Sequence, residues 1–240
     1  MRHKTTWVIA LAVTFVIVIL YNTNVNAAPN GATINYNDSS IANTTYPSNR
    51  TDAKGTINTL RLSGLQQNTH WKAYVGNVSG SLTLDDANAY TIYDWSTGAL
   101  KGEVYASRWN SITWASIACV TPAILTTEQN ALGISVSAAD SIQSTFNWSG
   151  HRSFDTGVTA LSGCNSTTTY MNDTKQAQST TAPFQEALLT DTTAFIYAAI
   201  INASSDSYRN GSKVDFQMIV ADNASAAGPA LTYFFYVELI

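Results

Sequence analysis

The side chains with the most chemistry to offer in this chain are asparagines. Asn37, Asn43, Asn49, Asn77, Asn147, Asn165, Asn172, Asn202, Asn210 and Asn223 each stand two positions before Ser or Thr with no proline between, the acceptor pattern for N-linked glycans. The Asn, Ser and Thr content alone would give about half as many such triplets. An Asn- and Thr-rich exported chain also accumulates them without being modified, so the set marks possible N-glycosylation and a polar surface together.

Catalytic groupings are thin. Apart from His3 the only histidines are His70 and His151, and neither stands in an HExxH, H-x-H or nucleophile-elbow setting. Glu186 and Asp191 have the chemistry of an acid and a base, but isolated carboxylates at strand ends usually belong to turns. The expectation is a protein that is not an enzyme, with no catalytic residues and no cofactor. Asp85, Asp86 and Asn88 in one loop, and Asp206 with Asn210 and Gly211, offer hard oxygen atoms of the kind calcium takes. Neither fits a twelve-residue EF-hand loop, so turn chemistry is the preferred reading and the three loop residues stand only as weak Ca candidates.

Trp71, Trp95, Trp109, Trp114 and Trp148 raise a second possibility, because an exposed indole face can stack on a sugar ring. Trp71 and Trp95 alternate with polar neighbours as core residues do. Trp109, Trp114 and Trp148 are therefore the candidate sugar-stacking residues. Two cysteines complete the inventory: in an exported chain, Cys119 and Cys164 most economically form one disulfide. Closing that loop would remove on the order of 4 kcal/mol of unfolded-chain entropy.

Short strands must hold these residues. After Gly55, Thr56–Leu62 is strand-like. Trp71–Leu84 follows as one bent strand or two joined ones, with Gly76 and Gly80 where a bulge is tolerated. Tyr90–Trp95, Leu100–Ala106 and Ile112–Ile117 continue the series, with Asp85–Asn88 as a turn. Between the cysteines the period changes: Thr126–Gln129 and Ser137–Asp140 resemble helix starts, and Ile142 with Phe146 has helical spacing. Phe154–Leu161 returns to strand, and Ser162–Ala182 is a polar loop. Phe184–Leu189, Ala194–Ile201, Val214–Val220 and Leu231–Ile240 form the clearest strand set. The last is apolar on both faces and predicts a central or inter-sheet position. The expected fold is mainly β, a two-sheet antiparallel sandwich, immunoglobulin-like or jelly roll, with a small helical insertion between the cysteines.

The N-terminus addresses compartment. Arg2, His3 and Lys4 precede an uncharged apolar run from Trp7 to Leu20, the length of a signal-peptide core and short of a bilayer span. The expected organisation is residues 1–27 as signal peptide with cleavage after Ala27, 28–54 as a polar stalk-like segment, and 55–240 as the β-sandwich domain. An uncleaved N-terminal anchor is the alternative, and the only route to membrane attachment. Charged residues are 12% of the chain and the net charge is −4, which gives no basic footprint for nucleic acid.

The runs Trp71–Gly80, Tyr93-Asp94-Trp95, Gly102–Ala106, Asp215–Met218 and Tyr236–Leu239 resemble a group of uncharacterised secreted archaeal proteins over most of the chain after the leader. The resemblance implies an exported β-rich surface protein and carries no known activity or site residues. The expected function is a secreted or cell-surface structural or adhesive protein that self-associates through β-sheet edges, with itself or other surface proteins as partners. An extracellular carbohydrate-binding, lectin-like module with glycans as partners is the alternative.

Overall fold

The computed structural model describes residues 28–36, 38–43, 46–95, 100–223 and 229–240. The expected leader, Asn37 and the 96–98 turn lie outside the described residues. The chain is mainly β with antiparallel pairing, and its described residues form no closed barrel.

The centre is a seven-stranded sheet. Its main path runs β1 (Asn30–Gly31), β17 (Phe234–Leu239), β5 (Gly102–Ser107), β13 (Phe195–Ile200), β12 (Gln185–Thr190) and β6 (Ala118–Cys119), with β9 (Ser166–Thr168) also paired to β12. β5, β12 and β13 are buried along their whole length. That is the fate of strands whose alternate residues on both faces are Ala, Ile, Leu, Val or aromatic.

One face carries Ala106, Leu188, Phe195, Tyr197 and Ala199, packed on Met218, Val220 and Ala221 of β16 (Phe216–Ala221) and on Leu125, Ile142 and Phe146 of the helical insertion. The other face carries Tyr105, Ala187, Leu189, Ile196 and Ala198 against Ile117, Phe154, Leu161 and Cys164. β16 pairs only with β2 (Trp71–Gly76) among the described residues. Its other edge is satisfied by side chains of the large sheet: the Ile219 amide donates to Glu186 Oε2 at 2.9 Å and the Ala221 amide to Tyr197 Oη at 3.3 Å.

The insertion holds α1 (Pro122–Ala131) and α2 (Ile142–Thr145). Thr121 caps α1 with its side chain accepting from the Ile124 amide, and Pro122 fills the first turn, where no amide is needed. The helix thus starts four residues before Thr126. Ser141, rather than Ser137, caps α2. Cys119 and Cys164 form the disulfide with Cα atoms 4.9 Å apart, tying β6 to the segment before β9.

Several expected elements are otherwise in the structure. Thr56–Leu62 forms no strand and is exposed, since no neighbouring strand offers its amides a ladder. Ile112–Ile117 contains a 3-10 turn at Trp114–Ser116 instead of a strand. Trp71–Leu84 divides into β2 and β3 (Leu82–Asp85), and Phe154–Leu161 is a hairpin of β7 (Phe154–Thr156) and β8 (Thr159–Leu161) turning at Gly157. The last strand is not central: β17 lies one place from the edge, shielded outside only by the two residues of β1. The central places go to β5 and β13, while β12 is flanked on its outer side by the short β6 and β9.

Candidate functional site

Two places stand out, one buried and one bare. The buried one begins with register: Glu103 of β5 lies opposite Glu238 of β17, so the two carboxyl side chains share one face of the sheet. Both are almost sealed from water, at 2% and 3% exposure. Glu238 is well held: Oε1 accepts the Gly157 amide at 2.8 Å, and Oε2 accepts the Tyr105 hydroxyl at 2.9 Å, which also meets Thr156 Oγ1. Glu103 Oε2 has no hydrogen-bond partner.

Burial, and then the nearby Glu238 and Asp155, push the Glu103 carboxyl from its ordinary 4.5 up to about 9, opposed only weakly by Arg152. Burial likewise raises Glu238, against the amide and hydroxyl that favour its charged form. At neutral pH Glu103 is therefore a neutral acid with a proton to give, beside a second buried carboxyl that is better supplied with hydrogen-bond donors. Asp155 acts electrostatically on both glutamates, and the Arg152 guanidinium acts on Glu103. That guanidinium is itself engaged with the Ile201 and Pro183 carbonyl oxygens at 3.3 and 3.5 Å.

The chain enters this place from its first described residues. β1 runs antiparallel to β17 with Asn30 opposite Val237 and Gly31 opposite Tyr236. One more step of that register sets Pro29, which is buried, opposite Glu238. A Cβ on Gly157 would stand 3.9 Å from the Ala28 Cα.

The bare place is the ribbon of β3 and β4 (Thr91–Trp95), paired only to each other among the described residues and exposed at every residue. Leu82 opposes Trp95 and Leu84 opposes Tyr93, so these four side chains form one face. Tyr93 and Trp95 remain 60% and 49% exposed, their rings edge to face at 5.0 Å.

The expected residues fall elsewhere. None of the three candidate sugar-stacking indoles is presented to solvent as a platform. Trp109 is half-buried between both hydrophobic clusters with the Arg108 guanidinium over its ring. Trp114 packs on Tyr105 and Tyr236, and Trp148 lies over Gly150 while its backbone forms an isolated bridge with Ser166. Exposure falls to Trp95, which alternation had assigned to the core.

In the calcium-candidate loop, Asp86 Oδ1 accepts the Asn88 and Tyr90 amides and Asp85 accepts the Thr83 hydroxyl, which closes the β3–β4 turn. Asp206 pairs with Lys213 at 3.0 Å. Among the described residues no three His, Cys, Asp or Glu side chains gather as metal ligands. Asp191 is a turn residue, accepting the Thr193, Ala194 and Thr113 amides. Glu186 is not: it is wholly buried within β12, and burial raises its carboxyl well above the usual range. His151 Nε2 accepts the Cys164 amide while Nδ1 meets the Arg152 carbonyl oxygen, and burial lowers its pKa.

Of the sequon asparagines, Asn43, Asn49, Asn77, Asn147 and Asn210 are exposed. Asn165, Asn172, Asn202 and Asn223 are partly covered, and the first three spend Nδ2 on Phe146, Asp206 and Ser205.

Comparison with protein-family models, with curated proteins and with solved structures gives no match. The site's chemistry therefore rests on its own geometry. The signal that sequence reading passed over was an acid set inside an apolar strand: Glu103 in Gly102–Ala106, Glu186 between Gln185 and Ala187, Glu238 between Val237 and Leu239.

Proposed function

We propose that this chain is an exported cell-surface protein of structural or adhesive character that associates with copies of itself through strand edges and the bare ribbon. The observation that carries the reading is the β3–β4 ribbon, with four large apolar side chains on one face and, among the described residues, no other strand on either edge. A lone two-stranded ribbon is marginal in water, and an uncovered apolar face next to open edges is a template for pairing. The low charge, the exposed sequons and the likeness to secreted archaeal surface proteins support the same reading. So does the packing of β2 and β16 on the large sheet, which we read as the second layer of a sandwich. The described residues between 32 and 69, exposed almost throughout, fit a stalk.

The test is light scattering and electron microscopy of the mature protein beside a Tyr93→Ser, Trp95→Ser variant. Higher-order species in the first that dissolve in the second support the reading; a monomer at all concentrations refutes it. A second reading, carbohydrate binding, is favoured by the exposed Tyr93 and Trp95 pair, since aromatic faces stack on sugar rings. Glycan-array binding abolished by Trp95→Ala in a monomeric protein would select it.

A further inference from the structure

The buried acidic pair has one nearby cation, Arg152, which is already engaged with two carbonyl oxygens, and the chain's first described residues run beside the pair. We propose that removal of the leader between Ala27 and Ala28 creates an α-ammonium beside the Glu103–Glu238 pair, and that this cation completes the acidic row and fastens β1 to the sheet edge. The inference rests on the export reading and is independent of self-association.

The chemistry is a single hydrolysis. A leader peptidase outside the cytoplasm adds water across the Ala27–Ala28 amide: hydroxide goes to the Ala27 carbonyl carbon, leaving a carboxylate there, and the nitrogen of Ala28 leaves as an amine that takes up a proton. Before cleavage that nitrogen is a neutral amide. Afterwards it carries a full positive charge at neutral pH, because an α-amine ordinarily titrates near 7.7–8.0.

Its place follows from contacts already given. Gly157 links the two partners: its amide donates to Glu238 Oε1 at 2.8 Å, and the Ala28 Cα is 3.9 Å from where its Cβ would stand. Through those links the Ala28 nitrogen lies on the order of 10 Å or less from the Glu238 carboxylate. At that range, with a sealed carboxylate on one side, screening by salt is incomplete.

The groups facing the pair from each packed element are Tyr105 on β5, Asp155 and Thr156 on β7, and Arg152 before it. Two of the carboxyls are buried, the third, Asp155, is exposed, and the one cation among these groups is already held by two carbonyl oxygens. Glu103 Oε2 remains without a partner. An added cation relieves this imbalance where an added anion or neutral group does not. β1 needs such help: it offers the ladder only two strand residues plus the Ala32 amide, which donates to the Phe235 carbonyl.

The experiment uses the product recovered from an exporting host expressing the full chain. Half of it is transaminated selectively at the α-amine, which becomes a keto group while every lysine is spared. Carbon-13 reductive methylation of the untreated half reads the α-amine pKa by NMR, and urea unfolding midpoints of both halves are followed from pH 6 to pH 10. The expected result is an α-amine pKa raised by about half a unit or more above its ordinary value, returning to that value in Glu238→Gln. Below pH 8 the untreated protein should unfold at higher urea than the keto form, with the difference vanishing as the amine deprotonates. An ordinary α-amine pKa, or superposed unfolding curves, overturns the proposal. Mass spectrometry of the same product also decides the premise: a native chain starting anywhere but Ala28 overturns the proposal and, if the leader is intact, shows that the cleavage reading failed first.

Discussion

Replacing Glu103 by Gln tests the physics of the buried acidic pair directly. The folded protein holds the Glu103 proton until about pH 9, whereas the unfolded chain releases it near the ordinary 4.5. Between those values the folded state binds more protons than the unfolded state, so this group makes stability fall as pH rises. At about 1.4 kcal/mol per unit, the loss by pH 8 is on the order of 5 kcal/mol, against less than about 1 kcal/mol at pH 5. Gln has the same shape and no proton to release. The variant should therefore match the parent at pH 5 to within about 1 kcal/mol and exceed it by roughly 4 kcal/mol at pH 8. An α-ammonium at Ala28 would shrink that gain without changing its sign. Urea unfolding followed by tryptophan fluorescence at pH 5, 6.5 and 8 measures it, and a stability difference independent of pH across that range would refute the reasoning.

Three further outcomes can be checked by the same unfolding assay. Arg108→Met leaves Glu128, joined to that guanidinium by two contacts of 2.9 and 2.6 Å, as an unpaired and almost buried charge, and should cost about 3–5 kcal/mol at pH 7. Gly102 has φ +125° and its Cβ would stand 2.0 Å from the Glu238 carbonyl oxygen, so Gly102→Ala should destabilise by at least ~2 kcal/mol or drive the chain into inclusion bodies. The Cys119→Ala, Cys164→Ala double variant opens a 45-residue separation and should lose about 2–5 kcal/mol, with no further loss on adding reductant.

Strand content was legible wherever burial was two-sided or period-two, as in Phe195–Ile200 and Phe216–Ala221, because the apolar pattern there is the packing pattern. The disulfide was legible too, since a chain with only two cysteines offers a single pairing. Position within the sheet was not: Phe234–Leu239 is apolar on both faces yet lies next to the edge, because its outer flank is covered by two distant residues. The same limit hid the acidic pair. Glu103 and Glu238 are far apart in sequence, and only the β5–β17 register makes them neighbours. Trp95 was misjudged for a related reason: alternation marks a face, but whether anything covers that face is a tertiary fact.

The seam between β1 and β17 joins the first described strand to the last. Its two halves are about 200 residues apart, so the margin of the large sheet closes only when distant stretches of chain meet. That makes this pairing among the most non-local of the described residues, and so a slow one to form.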